Sequence, residues 1–169
     1  RARPRLPADV PAVSPFAVVQ ALRTQTRVDS LAGAELAMVL DRPTWRLRYF
    51  TTDAGRVVER RQLADAATGA LREPLDRDEA VAAARAAYAG HEAVVGVEAL
   101  TEANVGGHHE YRGQPLPAWA VRFASPEGAT AYVSAELGEV IRIRNDRWRA
   151  FDFLWMLHTM DYRGRDDFN

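Results

Sequence analysis

Two stretches of the chain alternate cleanly between apolar positions and charged or small ones. In "TWRLRYF", Trp45, Leu47 and Tyr49 fall on one face, and Arg46 and Arg48 on the other. In "AWAVRFA", Trp119, Val121 and Phe123 oppose Ala120 and Arg122. Successive side chains of an extended chain point to opposite faces, so both stretches predict half-buried strands. Each runs into an acidic turn closed by glycine, "TDAG" and "SPEG", and then into a returning segment, "RVVERRQLAD" and "ATAYVSAELGEVIRI". Those are predicted hairpin partners. "AELAMVL" and "EAVVGVEAL" supply one further strand ahead of each tryptophan strand.

The spacing changes to helical in two places. Ser14-Pro15 offers an N-cap hydroxyl followed by proline at the first helical position, and Val18, Val19 and Leu22 give an apolar stripe that fades near Thr26. Asp76 and Glu79 form the aspartate variant of a capping box ahead of "RDEAVAAARAAY", predicted to bury Val81, Ala84 and Tyr88. Ahead of the first helix, Pro4, Pro7 and Pro11 mark an extended leader, because proline fixes φ and removes a donor. "GGHHEYRGQPLP" reads as a loop or the solvated tip of a long hairpin.

The order of elements therefore occurs twice. "TWRLRYFTTDAG" and "AWAVRFASPEG" share a tryptophan, an aliphatic residue two positions on, an arginine, an aromatic and an acidic turn ending in glycine. "DAATGAL" and "SAELGEV" then match around Gly69 and Gly138. A repeat of about 70 residues predicts two copies of one small domain rather than a solenoid. The expected organisation is a leader over 1–13, units over 14–74 and 75–145, and a tail over 146–169. Each unit reads as helix, strand, strand, strand. An antiparallel sheet with one face to cover is satisfied by laying the helix across it, which makes the fold class α+β.

Composition narrows the function less than the fold. The 169 residues carry 22 basic and 23 acidic side chains, a net charge of −1, so no global field favours nucleic acid. Every basic residue is arginine, a compositional habit that weakens the case for any single arginine as an anion ligand. The absence of cysteine permits an oxidising compartment without requiring one. Arg1 stands where a complete product would show methionine, so the chain is expected to be a piece or processed form of a longer protein.

No complete catalytic motif occurs: there is no G-x-S-x-G, no H-E-x-x-H, no cysteine nucleophile and no glycine-rich phosphate loop. His108 and His109, with Glu110 beside them, are the weak candidates for a metal. Adjacent histidines in a strand point to opposite faces, and in a loop they lack the spacing that chelates zinc well. His91 is too isolated to join them. The acidic end "DYRGRDDFN" lacks the spacing of a calcium loop.

The second unit resembles a PepSY domain. The residues that carry this are "LDRDEAVAAARAAY", then "LPAWAVRFASPEGATAYVSAELGEVI": a helix with an early Glu-Ala, a tryptophan strand, and a final hairpin whose Gly-Glu-Val matches the close of the family's acid-x-x-x-Gly-Glu-Val. The first unit is similar, its "DAATGAL" lying close to that family's Asp-x-x-Thr-Gly-x-Val ending, whereas Ser134 and Leu137 replace the Asp and Thr in the second. The likeness covers residues 14 to about 145 and its motifs are structural. The tail "RWRAFDFLWMLHTMDYRGRDDFN" resembles the segment leading toward a membrane span in PepSY-associated transmembrane proteins. Its apolar run is shorter than the roughly 20 residues a bilayer requires.

That likeness implies an inner-membrane protein whose PepSY region faces the periplasm or other extracytoplasmic side, anchored through flanking transmembrane helices. Trp148, Trp155 and Tyr162 would sit at headgroup depth on an amphipathic helix, which also offers a route to a homodimer. Some such proteins look like iron- or siderophore-linked reductases that hold haem between histidines, and His158, on the same helical face, is the candidate haem ligand here. Three functions follow as expectations: a non-catalytic sensing or interaction module, the soluble part of a membrane haem or iron reductase, and a peptidase inhibitor-like module.

Overall fold

The computed structural model describes residues 9–106, 109–124 and 128–145. Helix α1 (Pro15–Gln25) precedes strands β1 (Ser30–Val39), β2 (Arg42–Asp53), β3 (Arg56–Asp65) and β4 (Leu71–Arg72). Helix α2 (Arg77–Ala87) precedes β5 (Val94–Leu100), β6 (Ala118–Phe123), β7 (Thr130–Ser134) and β8 (Glu139–Arg144). Each set of four strands forms an antiparallel sheet in sequential order, so the fold is α+β with two helix-and-sheet halves. The sequence predicts three strands per half. The fourth arises because the chain doubles back after Gly69 and Gly138, both at positive φ (75° and 64°), a conformation that glycine adopts without a Cβ penalty. β4 is only two residues long, too short to leave a periodic signal.

Local chemistry starts and stops both helices. The Ser14 hydroxyl accepts the Ala17 N–H at 3.3 Å and Pro15 opens α1, which buries Val18, Val19 and Leu22 and ends at an extended Thr26. In α2 the Asp76 carboxylate accepts the Glu79 N–H at 2.9 Å, while Glu79 accepts the Asp76 N–H at 3.2 Å. The residues that α2 buries outright are Ala80 and Ala84; Val81 and Tyr88 are half-buried. Small residues let this helix lie close to its sheet, and Tyr88, its C-cap, stacks on Phe123 with ring centroids 4.2 Å apart.

The two halves share a hydrogen-bond skeleton. The Trp45 indole N–H donates to Val13 O at 3.0 Å, and the Trp119 indole N–H donates to Leu75 O at 2.9 Å. Each acceptor is the residue just before the helix N-cap. The N–H groups of Val13 and Leu75 donate to Ala66 O (2.8 Å) and Ala135 O (2.9 Å). Ala66 N–H and Ala135 N–H donate in turn to Pro43 O (3.0 Å) and Pro117 O (3.1 Å). Each tryptophan strand thus stitches the helix start to the turn after the third strand. Each first strand also breaks register before a glycine, at Gly33 and Gly96, and that glycine faces an arginine of the next strand, Arg48 or Arg122.

Two cores lie between helix and sheet. Val18, Val19, Leu22, Leu47, Tyr49 and Ala64 form the first. Ala80, Ala84, Val121, Phe123, Ala131 and Val133 anchor the second, which also takes in Val39 from the far end of β1. Burying a side chain such as Val39 completely is worth roughly 1.5–3 kcal/mol. The halves are therefore joined through packing as well as through the linker.

Candidate interaction surfaces

The first surface is the junction where the turn after β7 meets the face of the first sheet opposite α1. Strand alternation sends Val39, Arg46, Arg61 and Leu63 to that face. Val39 is fully buried, and a Cβ placed on Gly138 would lie 2.6 Å from its Cγ1, so only glycine fits there. Arg46, whose side chain is 12% exposed, pairs with Glu139 at 3.0 Å, and its buried Nε has no hydrogen-bond partner. Arg61 pairs with Glu59 at 3.0 Å and reaches Glu136 at 3.8 Å. Burial pushes the Glu136 carboxyl above its ordinary range, and the nearby Arg61 and Arg60 only partly offset this. Its charge therefore opposes folding: the penalty grows as pH rises through the raised value and vanishes in acid.

A polar cleft of about 410 Å³ opens beside the junction. Most of its charges are already engaged. Arg72 donates to both carboxylate oxygens of Glu79 at 2.7 Å, and Asp76 caps α2. Asp65 accepts the N–H and hydroxyl of Thr68 at 2.8 and 2.9 Å, bonds that hold its carboxyl below the usual range. The cleft is a brace between β3, β4 and the start of α2.

The second surface is the outer face of the second sheet. "GGHHEYRGQPLP" is not the solvated tip that the sequence predicts: residues 109–117 fold back over this face. Tyr111 is fully buried, stacks on Tyr132 with centroids 5.5 Å apart, and donates its hydroxyl proton to Pro115 O at 2.9 Å. Burial pushes its phenol up to about 12. Leu100, Ala118, Ala120 and Tyr132 complete this small core. The Tyr132 hydroxyl donates to Glu110 at 2.8 Å, and Arg142 donates to Glu110 O at 3.1 Å. Tyr111 is the residue that sequence reasoning missed; the only local hint is a lone aromatic within a polar run.

His109 is half-buried in this loop, with its Nδ1 accepting the Tyr111 N–H at 3.1 Å and its ring nearly perpendicular to that of Tyr132. That bond occupies the Nδ1 lone pair, so in the neutral ring Nε2 bears the proton and can only donate. His108 lies outside the described residues, as do His158, Trp148, Trp155 and Tyr162 with the whole of 146–169. Among the described residues, no cluster of three metal-ligating side chains occurs and no helix is long and apolar enough to cross a membrane. Comparison with protein-family models, with curated proteins and with solved structures finds no match to this chain.

Proposed function

We propose that the two halves are duplicated PepSY-like units and that the pair acts as a non-catalytic, extracytoplasmic sensing or interaction module of a membrane-anchored protein. The observation that supports this most is the repeated bond from the tryptophan indole to the carbonyl ahead of the helix cap. A family resemblance that rests on a helix, a tryptophan strand and a glycine turn gains weight when those three parts are tied together the same way twice. Polar groups at the junction and around Tyr111 are spent on holding segments together, as suits a domain that presents surfaces.

Two measurements test the reading. In cells making the full-length protein, protease added to intact spheroplasts should cut within this domain, and protection until lysis would overturn the extracytoplasmic placement. Purified chain incubated with flavin, nicotinamide cofactors, ferric chelates and peptide substrates should give rates equal to buffer. Turnover of any of them would replace the module by an enzyme.

A further inference from the structure

We propose that β1 is a dimerisation edge, through which two copies of the chain pair antiparallel about a two-fold axis at Ala34. β1 is ten residues long, pairs only with β2, and among the described residues no backbone group partners its outer side. Such an edge is a template for another strand, and proteins usually guard it with lysine, proline or a cover. Over "SLAGAELAMV" the guards reduce to one charge, Glu35, and the register break before Gly33. The corresponding edge in the second half is better closed. β5 is seven residues long, and the Asn104 side chain donates to Ala99 O at 2.7 Å.

Charge selects a second copy as the occupant. Arg48 sits directly opposite Arg61 in the ladder, and like charges so placed repel. Its guanidinium lies beside Gly33 of β1, where an added Cβ would be 3.8 Å from Arg48 Nη2. Neither Arg48 nor Glu35 makes an ion pair or side-chain hydrogen bond among the described residues, and both are exposed. In the second half the matching pair, Arg122 and Glu98, is closed at 3.2 Å. Antiparallel pairing centred on Ala34 puts Glu35 of each copy opposite Gly33 of the other, under the unpaired arginine. The two contacts form together, as a two-fold interface requires. Leu31, 44% exposed, and Leu36 lie on the α1 side of the sheet. There α1 packs chiefly against β2 and β4, leaving them apolar surface to share with the second copy.

The test uses the whole chain. Sedimentation should show a dimer. Glu35→Arg or Arg48→Glu alone should weaken it by about tenfold or more, since each dimer holds the contact twice. The double variant, Glu35→Arg with Arg48→Glu, should restore it. Because the chain has no cysteine, Ala34→Cys gives a clean second readout. Opposed strand residues lie roughly 4.5–5.5 Å apart at Cα, within disulfide reach. Ala34→Cys should therefore crosslink on mild oxidation, while Val57→Cys, also exposed but away from the β1 edge, should not. A monomer at about 100 µM, a concentration that populates any micromolar dimer, overturns the proposal. So does a dimer indifferent to both charge reversals, or an Ala34→Cys chain that stays uncrosslinked.

Discussion

The two halves share a skeleton and differ in what covers it. In the first, β1 and β2 are joined by Leu40 and Asp41 alone, both at positive φ, and the outer sheet face meets the other half at the turn after β7 and the start of β8. In the second, residues 101–117 separate the same two strands, and their latter part lies across the outer face with Tyr111 as its anchor. The first connection can differ in length between the halves because the bonds they share lie elsewhere, between the tryptophan, the helix start and the turn after the third strand. The shared bonds set how helix, strand and turn are joined, and the cover adds a core of its own to the second half.

The largest effect should come from the cover. Tyr111→Ala removes a fully buried, stacked ring and should cost about 3–5 kcal/mol in urea denaturation. Phe50→Ala, on the less covered face of the first sheet, should cost about 1–2 kcal/mol, because that ring is only half-buried. Equal losses would break the contrast. Next comes the junction. Gly138→Ala should cost about 2–4 kcal/mol, adding overlap with Val39 to the strain of a positive φ, whereas Gly69→Ala should cost about 1–2 kcal/mol. In the Gly138→Ala background, Val39→Ala should cost less than it does alone, a coupling that a double-mutant cycle reads directly.

The shared skeleton predicts matched effects. Trp45→Phe and Trp119→Phe each delete one indole bond and should each lower stability by about 1–2 kcal/mol. A large loss in one half and none in the other would undo the equivalence. The smallest effect separates the two turns by pH. Asp65→Asn should cost about 1 kcal/mol or less at neutral pH. The Asp65 pKa is lowered in the folded chain, so its contribution is present above the ordinary carboxylate range and is lost as pH falls through the lowered value. The gap between wild type and variant should close in acid. Ser134→Ala removes the Leu137 N–H acceptor of the second turn and should give a loss that does not change with pH.

What the sequence made legible was local. Alternation in "TWRLRYF" and "AWAVRFA" gave β2 and β6 with their faces correctly assigned, and the caps at Ser14 and Asp76 gave both helix starts. What it hid was non-local. Arg46 alternates like a solvated residue and is nearly buried, because Glu139 arrives from far along the chain. Tyr111 sits in a run of polar and glycine residues that predicts a solvated loop, yet it is buried because a sheet face needs cover. Val39 belongs by sequence to the first half and by packing to the second. Of the metal, haem and membrane-interface candidates, His109 lies in the loop beside Tyr111, whereas His108, His158, Trp148, Trp155 and Tyr162 lie outside the described residues and rest on the sequence.

The tip of the first hairpin bears on how the chain is made. Leu40 holds a left-handed backbone that costs a non-glycine residue roughly 1–2 kcal/mol, and it packs, with Val39, into the core of the other half. During synthesis the first half emerges well before that core exists. Its first hairpin must then wait on the ribosome with a strained, greasy tip, and domains emerging N-terminal first are open to misassembly in that interval. Nascent chains stalled before β5 should therefore be cut by protease near Leu40, and chains released after β8 should resist. The tip is thus covered only once the second half has folded.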